Sequence, residues 1–375
     1  MWGCRITMLR LIVLTGKFGM GHWAASLSLK QQLERSLGAQ VEVVDLFAAT
    51  LPELSPALYK SFRLLVTYGG GLYNLVHLLT DSSKAAMPSP LVDGLTQRFY
   101  DLALASQPDA VIATHPLCAQ AVSRLKEEAV RKEHCYLDLP LFTCITDVSS
   151  HPEWINSNTD CYLVPDGEVK RSLVEKGVSP ARICVTGIPV RQEFRCLSRG
   201  GDSPKKGRQL LVMGGGLGLL PMDGGFYETL NGIPGTHTTI ITGSNEKLLR
   251  HLRGRWENIQ VLGYVDRVWE YLEKSDMIVT KPGGITLFES IFAQIPIFSW
   301  RPALCQERGN ARWLEEQGIG WVAKRADCAG EIREILMDQE RLARASARMA
   351  RVKQQLEVDA LSRLMEAIES SREVA

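Results

Sequence analysis

One stretch constrains the fold of this chain more than any other: Lys281-Pro282-Gly283-Gly284-Ile285-Thr286-Leu287-Phe288-Glu289. It follows Asp276-Met277-Ile278-Val279-Thr280, which reads as a buried strand. It opens a segment with apolar residues at Leu287, Phe288, Ile291, Phe292 and Ile295, the spacing of an amphipathic helix. A strand therefore runs through a glycine turn into the first turn of a helix. Gly283 and Gly284 carry no Cβ, so a ligand can approach the main chain closely. The unpaired amides of the first helical turn and the helix dipole favour an anion. A phosphate or diphosphate is the guest such a turn predicts.

The same alternation of apolar strand and helical pattern runs along the chain. Strands are expected at Leu9–Thr15, Val41–Leu46, Asp109–Thr114, Leu141–Thr146, Asp160–Val164 and Arg182–Thr186 in the first half. In the second half they fall at Gln209–Met213, Thr238–Thr242, Ile259–Leu262, Met277–Thr280, Ile297–Ser299 and Gly320–Ala323. Such alternation builds parallel sheets from βαβ units. At 375 residues the chain suits two domains. The polar, Gly-rich, basic stretch 199–208 is the natural linker. The expected division is a first domain at 1–198, a second at 209–345 and a helical tail at 346–375 folding back on the first. Both domains are expected to be doubly wound α/β units facing a cleft, with ligands beyond the carboxyl ends of the strands.

Composition narrows the function classes. Charged residues make up 23% and the formal charge is +1, so bulk charge gives no case for nucleic acid. Nine scattered cysteines form no C-x-x-C pair and no metal-ligand spacing, which fits a reducing compartment. The apolar run Leu11–Leu14 is too short for a signal-peptide core, and no run of about 18 apolar residues predicts a spanning helix. There is no Asp-x-Asp, so a divalent metal is not indicated.

Three glycine-bearing turns follow expected strands: Gly19-Met20-Gly21-His22, Gly214-Gly215-Gly216-Leu217-Gly218, and Pro282-Gly283-Gly284. The first supports two readings. With Ala24 in the third position and Asp45 ending the second strand, it is a variant dinucleotide fingerprint. Alternatively, His22 at the helix start is a general base, or simply caps the helix. Thr286-x-x-Glu289 is a capping box in one reading and a sugar-hydroxyl contact at Glu289 in the other. Gln306, Glu307 and Asn310 stand after a strand, where they either pair a carbohydrate's hydroxyls or form a solvated loop. Asp147 and His151 are an acid–base pair, part of an acceptor pocket, or loop residues. The segment Ala57–Val66, with Tyr68, Leu72, Tyr73 and Leu75, mixes apolar, aromatic and basic residues. It suits a helix lying in a membrane's headgroup plane, or a buried helix of the first domain.

Taken in order, these pieces resemble glycosyltransferase family 28 of the GT-B fold. The closer likeness is to its diacylglycerol glycosyltransferase branch, the monogalactosyldiacylglycerol synthases and processive diacylglycerol glucosyltransferases. The likeness rests on Gly19-x-Gly21-His22-x-Ala24-Ala25, Thr146-Asp147 with His151-Pro152-x-Trp154, Thr186-Gly187-Ile188-Pro189-Val190 with Phe194, and Gly214-Gly215-Gly216-x-Gly218. It continues through Gly263-Tyr264-Val265, Thr280-Lys281-Pro282-Gly283-Gly284-x-Thr286, and Gln306-Glu307 with Asn310.

What the resemblance implies is an inverting transfer of a hexose from a UDP-sugar to diacylglycerol or a related membrane lipid. The enzyme would lie peripherally on the cytoplasmic face of the membrane. Peptidoglycan-type transfer to a polyprenyl-linked acceptor is the runner-up. By similarity, Gly263, Tyr264 and Val265 hold the uracil and Glu289 the ribose. Gly215, Gly216, Gly284, Ile285 and Thr286 surround the diphosphate, with Gly283 and Lys281 beside it. Gln306 and Glu307 contact the sugar, with Asn310 nearby. The first domain would take the acceptor through Gly19, Gly21, His151 and Trp154. His22 is the first candidate for the base and Asp147 the second.

Overall fold

The computed structural model describes residues 8–18, 20–68, 90–131, 139–148, 151–197, 207–221, 223–302, 304–325, 328–356, 365–366 and 368. It divides into two compact units, 1–191 with 356–375, and 192–355.

The first unit holds strands β1 (Arg10–Thr15), β2 (Gln40–Asp45), β3 (Ala110–Ala113), β4 (Leu141–Cys144), β5 (Cys161–Val164) and β6 (Ile183–Val185). They pair in parallel in the order β2-β1-β3-β4-β5-β6. The second unit holds β7 (Arg208–Met213), β8 (Thr236–Ile241), β9 (Ile259–Leu262), β10 (Met277–Thr280), β11 (Ile297–Ser299) and β12 (Gly320–Val322). Their order is β12-β11-β10-β7-β8-β9, again parallel. All twelve expected strands form, with ends shifted by up to two residues. The central strands read as continuous apolar runs because helices cover both faces. Thus Leu11, Val13, Ile112 and Phe142 pack on one side of the first sheet, and Ile12, Leu14, Val111 and Leu141 on the other.

The order reverses between β1 and β3 in the first sheet, and between β7 and β10 in the second. Both reversals are pinned from below in the same way. Asp109, just before β3, accepts the Arg10 amide at 2.7 Å through Oδ2. Asp276, just before β10, accepts the Gln209 amide at 2.8 Å through Oδ2. Each carboxylate ties together the two strands between which a crevice opens at the opposite, carboxyl end.

The unit boundary lies at Gln192, ahead of the expected linker at 199–208. The short helix Gln192–Arg195 packs with the second unit: Phe194 meets Trp269 edge-on at 5.9 Å, and the Arg195 guanidinium lies over the Phe292 ring. Of the linker, 199–206 lies outside the described residues. The helix Gln339–Gln354 belongs to the second unit, so the expected tail domain does not begin at 346. Its apolar residues Leu342, Ala345, Met349 and Val352 are buried there, which holds it to that unit. Farther on, Met365 and Ile368 pack with Leu9, Leu11 and Val13 of the first unit.

Candidate active site

In the first unit, β1 leads through Gly16–Met20 into the helix Gly21–Leu37. Gly16 is needed because a Cβ there would stand 2.7 Å from the Phe47 ring. Met20 precedes the helix and offers no side-chain cap. His22, the second helical residue, is half-buried. Its Nδ1 lies 2.7 Å from Thr146 Oγ1, just after β4. Burial pushes the His22 pKa below its ordinary value, partly opposed by the Asp147 carboxylate. The imidazole is thus neutral near pH 7. Which of the two donates in this contact follows the tautomer of His22, and an imidazolium formed there would be stabilised by Asp147 and by the Thr114 backbone.

A second imidazole, not singled out by sequence reasoning, stands beside the first. His115 follows β3 and begins the helix Pro116–Arg131. The two rings lie 5.0 Å apart, edge to face. Burial, and repulsion from His22, hold the His115 pKa well below the ordinary value. The available signal was Thr114-His115-Pro116, a polar pair between an apolar strand and a proline at a first helical position. Thr114 joins in: its hydroxyl lies 2.8 Å from Ser26 Oγ, tying the β3 end to the His22 helix.

Trp154, on the short 3-10 turn Pro152–Trp154, is buried with its ring 6.3 Å from His22. His151 caps that turn by accepting the Glu153 amide at Nδ1. Gly21 is exposed at the helix start, and Gly19 lies outside the described residues. Asp45 is committed elsewhere: Oδ1 accepts from the Tyr59 hydroxyl at 2.6 Å and from the Ala48 amide at 3.1 Å. Its Oδ2 is buried, so neither oxygen is offered to a ribose, which removes the support for the dinucleotide reading.

The helix Ser55–Tyr68 has two faces. Tyr59 and Phe62 turn inward onto Phe18, at 4.9 and 5.4 Å. Leu54, Leu58 and Leu64 are exposed. The helix is thus neither wholly buried nor wholly exposed. Leu72, Tyr73 and Leu75 lie outside the described residues.

In the second unit, the expected donor residues gather at the carboxyl ends of β7, β9, β10 and β11. The Gly214–Gly218 loop turns back on itself through Gly218 N–H to Gly215 C=O (2.9 Å) and Leu219 N–H to Gly214 C=O (3.1 Å). Gly218 has φ +62°, and a Cβ there would meet the Thr242 carbonyl oxygen at 1.8 Å. The Gly216 carbonyl accepts from the Ser244 amide (3.0 Å) and hydroxyl (2.9 Å). The loop's carbonyls are thus tied back into the protein. The amides of Gly215 and Gly216 have no partner among the described residues, the condition for an anion nest.

Across the crevice, the helix Gly284–Ala293 begins after Gly283 with no side-chain cap. The Thr286–Glu289 capping box does not form, because the helix starts three residues earlier than such a cap requires and Thr286 is its third residue. A glycine cap leaves the amides of Gly284, Ile285 and Thr286 to a ligand. Lys281 bends over this turn: Nζ pairs with Glu307 Oε1 at 2.5 Å, and Cε would lie 3.2 Å from a Cβ on Gly215. Lys281 therefore reaches both glycine turns. Asn310 is fully buried and donates Nδ2–H to the Pro282 carbonyl at 2.9 Å. It fixes the turn from behind. Glu289 is half-buried in the helix's second turn. Gly263 and Val265 flank the exposed Tyr264 just after β9. The Gln306 side chain lies outside what is described. Among the described residues, no three of His, Cys, Asp and Glu converge as metal ligands.

The chain is similar to known proteins in sequence and in fold. Residues 22–190 match the family model for monogalactosyldiacylglycerol (MGDG) synthase. The chain is 28% identical to the processive diacylglycerol beta-glucosyltransferase of Bacillus subtilis, over 89% of each chain. The structure resembles MurG of Acinetobacter baumannii, with a TM-score of 0.62 at 13% identity, covering 96% of this chain and 99% of that one. It resembles the glycosyltransferase SnogD of Streptomyces nogalater, with a TM-score of 0.57 at 18% identity, covering 98% and 99%. The fold is that of the GT-B structures, and the sequence is similar to the diacylglycerol glycosyltransferases.

Proposed function

We propose that this chain, a GT-B glycosyltransferase related to the diacylglycerol glycosyltransferases, moves a hexose from a UDP-sugar to diacylglycerol or a related membrane lipid with inversion. The likeness to the Bacillus subtilis enzyme carries this reading, because it spans 89% of both chains and so includes both units.

Inversion is a single in-line displacement at the anomeric carbon. His22 Nε2 takes the proton of the acceptor hydroxyl, whose oxygen bonds to the anomeric carbon as the bond to the diphosphate oxygen breaks. Thr146 fixes the tautomer that leaves Nε2 unprotonated, and Asp147 steadies the imidazolium. The departing UDP gains negative charge. The amides after Gly283 and those of Gly215 and Gly216, with Lys281, meet that charge. This set carries the stabilisation without a divalent metal. Tyr264 and its neighbours take the uracil, Glu289 the ribose, and Gln306 and Glu307 the sugar.

The acceptor dissolves in membrane and not in water. No described helix is long and apolar enough to cross a bilayer. The exposed Leu54, Leu58 and Leu64 give the first unit a face that settles into a lipid surface, with peripheral attachment on the cytoplasmic side.

Thermal stabilisation by UDP and not by NAD tests the donor. Product formation on diacylglycerol against a polyprenyl-diphosphate acceptor tests the lipid. Stabilisation by NAD alone, or transfer only to the polyprenyl lipid, would overturn the reading.

A further inference from the structure

We propose that His115 is an acceptor-binding residue whose Nε2–H donates a hydrogen bond to an ester carbonyl oxygen of the lipid, beside the hydroxyl that His22 activates. The proposal rests on the acceptor half of the function above.

The tautomer is set by the backbone. His115 Nδ1 accepts the Leu117 amide at 3.3 Å, so the ring proton sits on Nε2. No described residue accepts that N–H, and His115 is half-buried. The ring's orientation is held by its neighbours. Phe47 meets it edge-on at 5.0 Å, Phe18 packs at 5.6 Å, and His22 lies at 5.0 Å. It therefore presents a fixed neutral donor beside the proposed base, at the ends of the two strands between which the sheet order reverses.

Capping alone does not call for an imidazole. Ser, Thr, Asn or Asp would accept the same amide. What the imidazole adds is a second, outward nitrogen. A neutral donor also suits its place, since a cation there would oppose the positive charge that His22 gains during transfer. Diacylglycerol supplies the matching acceptor group, because its ester carbonyls lie within a few bonds of the free hydroxyl.

The test compares His115→Ser, which keeps a capping oxygen, with His115→Ala, which does not. Each is assayed with UDP-sugar on vesicles containing 1,2-diacylglycerol or its 1,2-dialkyl ether analogue, which keeps the hydroxyl and lacks both carbonyls. The wild type should favour the diacyl lipid by roughly tenfold in kcat/KM, the worth of one net hydrogen bond. His115→Ser should use both lipids equally, at the wild-type rate for the ether. Its Tm and its stabilisation by UDP should match the wild type, whereas His115→Ala should melt lower. Retention of the diacyl preference by His115→Ser, or of full wild-type rate on diacylglycerol, would overturn the inference and leave His115 a cap. A wild type that glycosylates neither lipid while still being stabilised by UDP would instead overturn the acceptor assignment itself.

Discussion

His22 Nδ1 lies 2.7 Å from Thr146 Oγ1, a contact made across 124 residues of chain. It joins the first helix to the end of β4, and in the proposed mechanism it is the contact that leaves Nε2 to act as base. Thr146→Val removes the hydroxyl and keeps the shape of a buried side chain. It should lower kcat by roughly ten- to a hundredfold, with UDP affinity unchanged. Single-turnover kinetics and UDP titration check both halves. Loss of UDP affinity would point to disruption of the fold.

The pH profile follows from the sign of the shifts. His22 must be neutral to act as a base, and burial lowers its pKa. Activity should therefore persist as pH falls past about 6.5, the ordinary imidazole value, and fail only as pH falls through the lowered pKa of the folded protein. Asp147 raises the His22 pKa, so Asp147→Asn should move the acid limb of kcat/KM to still lower pH while reducing the rate. Stability obeys the same sign. Both His22 and His115 bind protons less readily when folded, so Tm should hold above about 6.5 and fall below it.

Lys281 and Glu307 form a pair that reaches the diphosphate turn from one end and the expected sugar position from the other. Lys281→Met should weaken UDP binding by roughly tenfold. Glu307→Gln should leave UDP binding near normal and weaken the UDP-sugar. Calorimetric titration with UDP and with a UDP-hexose separates these roles.

Two glycines of one loop should respond differently to alanine. Gly218→Ala drives a Cβ into the Thr242 carbonyl at positive φ, so Tm should drop by several degrees. Gly215→Ala also suffers positive φ, but its Cβ meets only the movable Lys281 stem at 3.2 Å. It should melt closer to wild type, at a cost of about 1 kcal/mol, and lose UDP affinity. Differential scanning calorimetry with and without UDP reads both.

Backbone amides and Lys281 are assigned the leaving-group charge. Activity measured in excess EDTA should equal activity in magnesium within about twofold.

Much of the fold was legible because its signal is local. Each buried parallel strand is a short apolar run, and helices such as Gly284–Ala293 carry an apolar stripe; both patterns can be read without tertiary context. The glycine turns were legible for a related reason: close backbone approach demands a missing Cβ. What could not be read required contacts distant in sequence. Whether Asp45 met a ribose or a helix cap depended on Tyr59, fourteen residues on. His115 gained its neighbours from Phe18 after β1, His22 of the first helix and Phe47. Thr286 and Glu289 imitate a cap in sequence, and only the backbone shows that Gly283 fills that role. The boundary at Gln192 depended on Phe194 meeting Trp269, which no linker composition records.

The most direct measurement is the product itself. The enzyme is incubated with UDP-glucose or UDP-galactose and diacylglycerol vesicles, and the lipid phase is analysed by mass and by the anomeric proton coupling. The account predicts a β-hexosyl-diacylglycerol and one UDP released per sugar transferred, with His22→Ala slower by at least ~100-fold. An α-linked product, or sugar transferred to no glycerolipid while a polyprenyl acceptor is consumed, would contradict it.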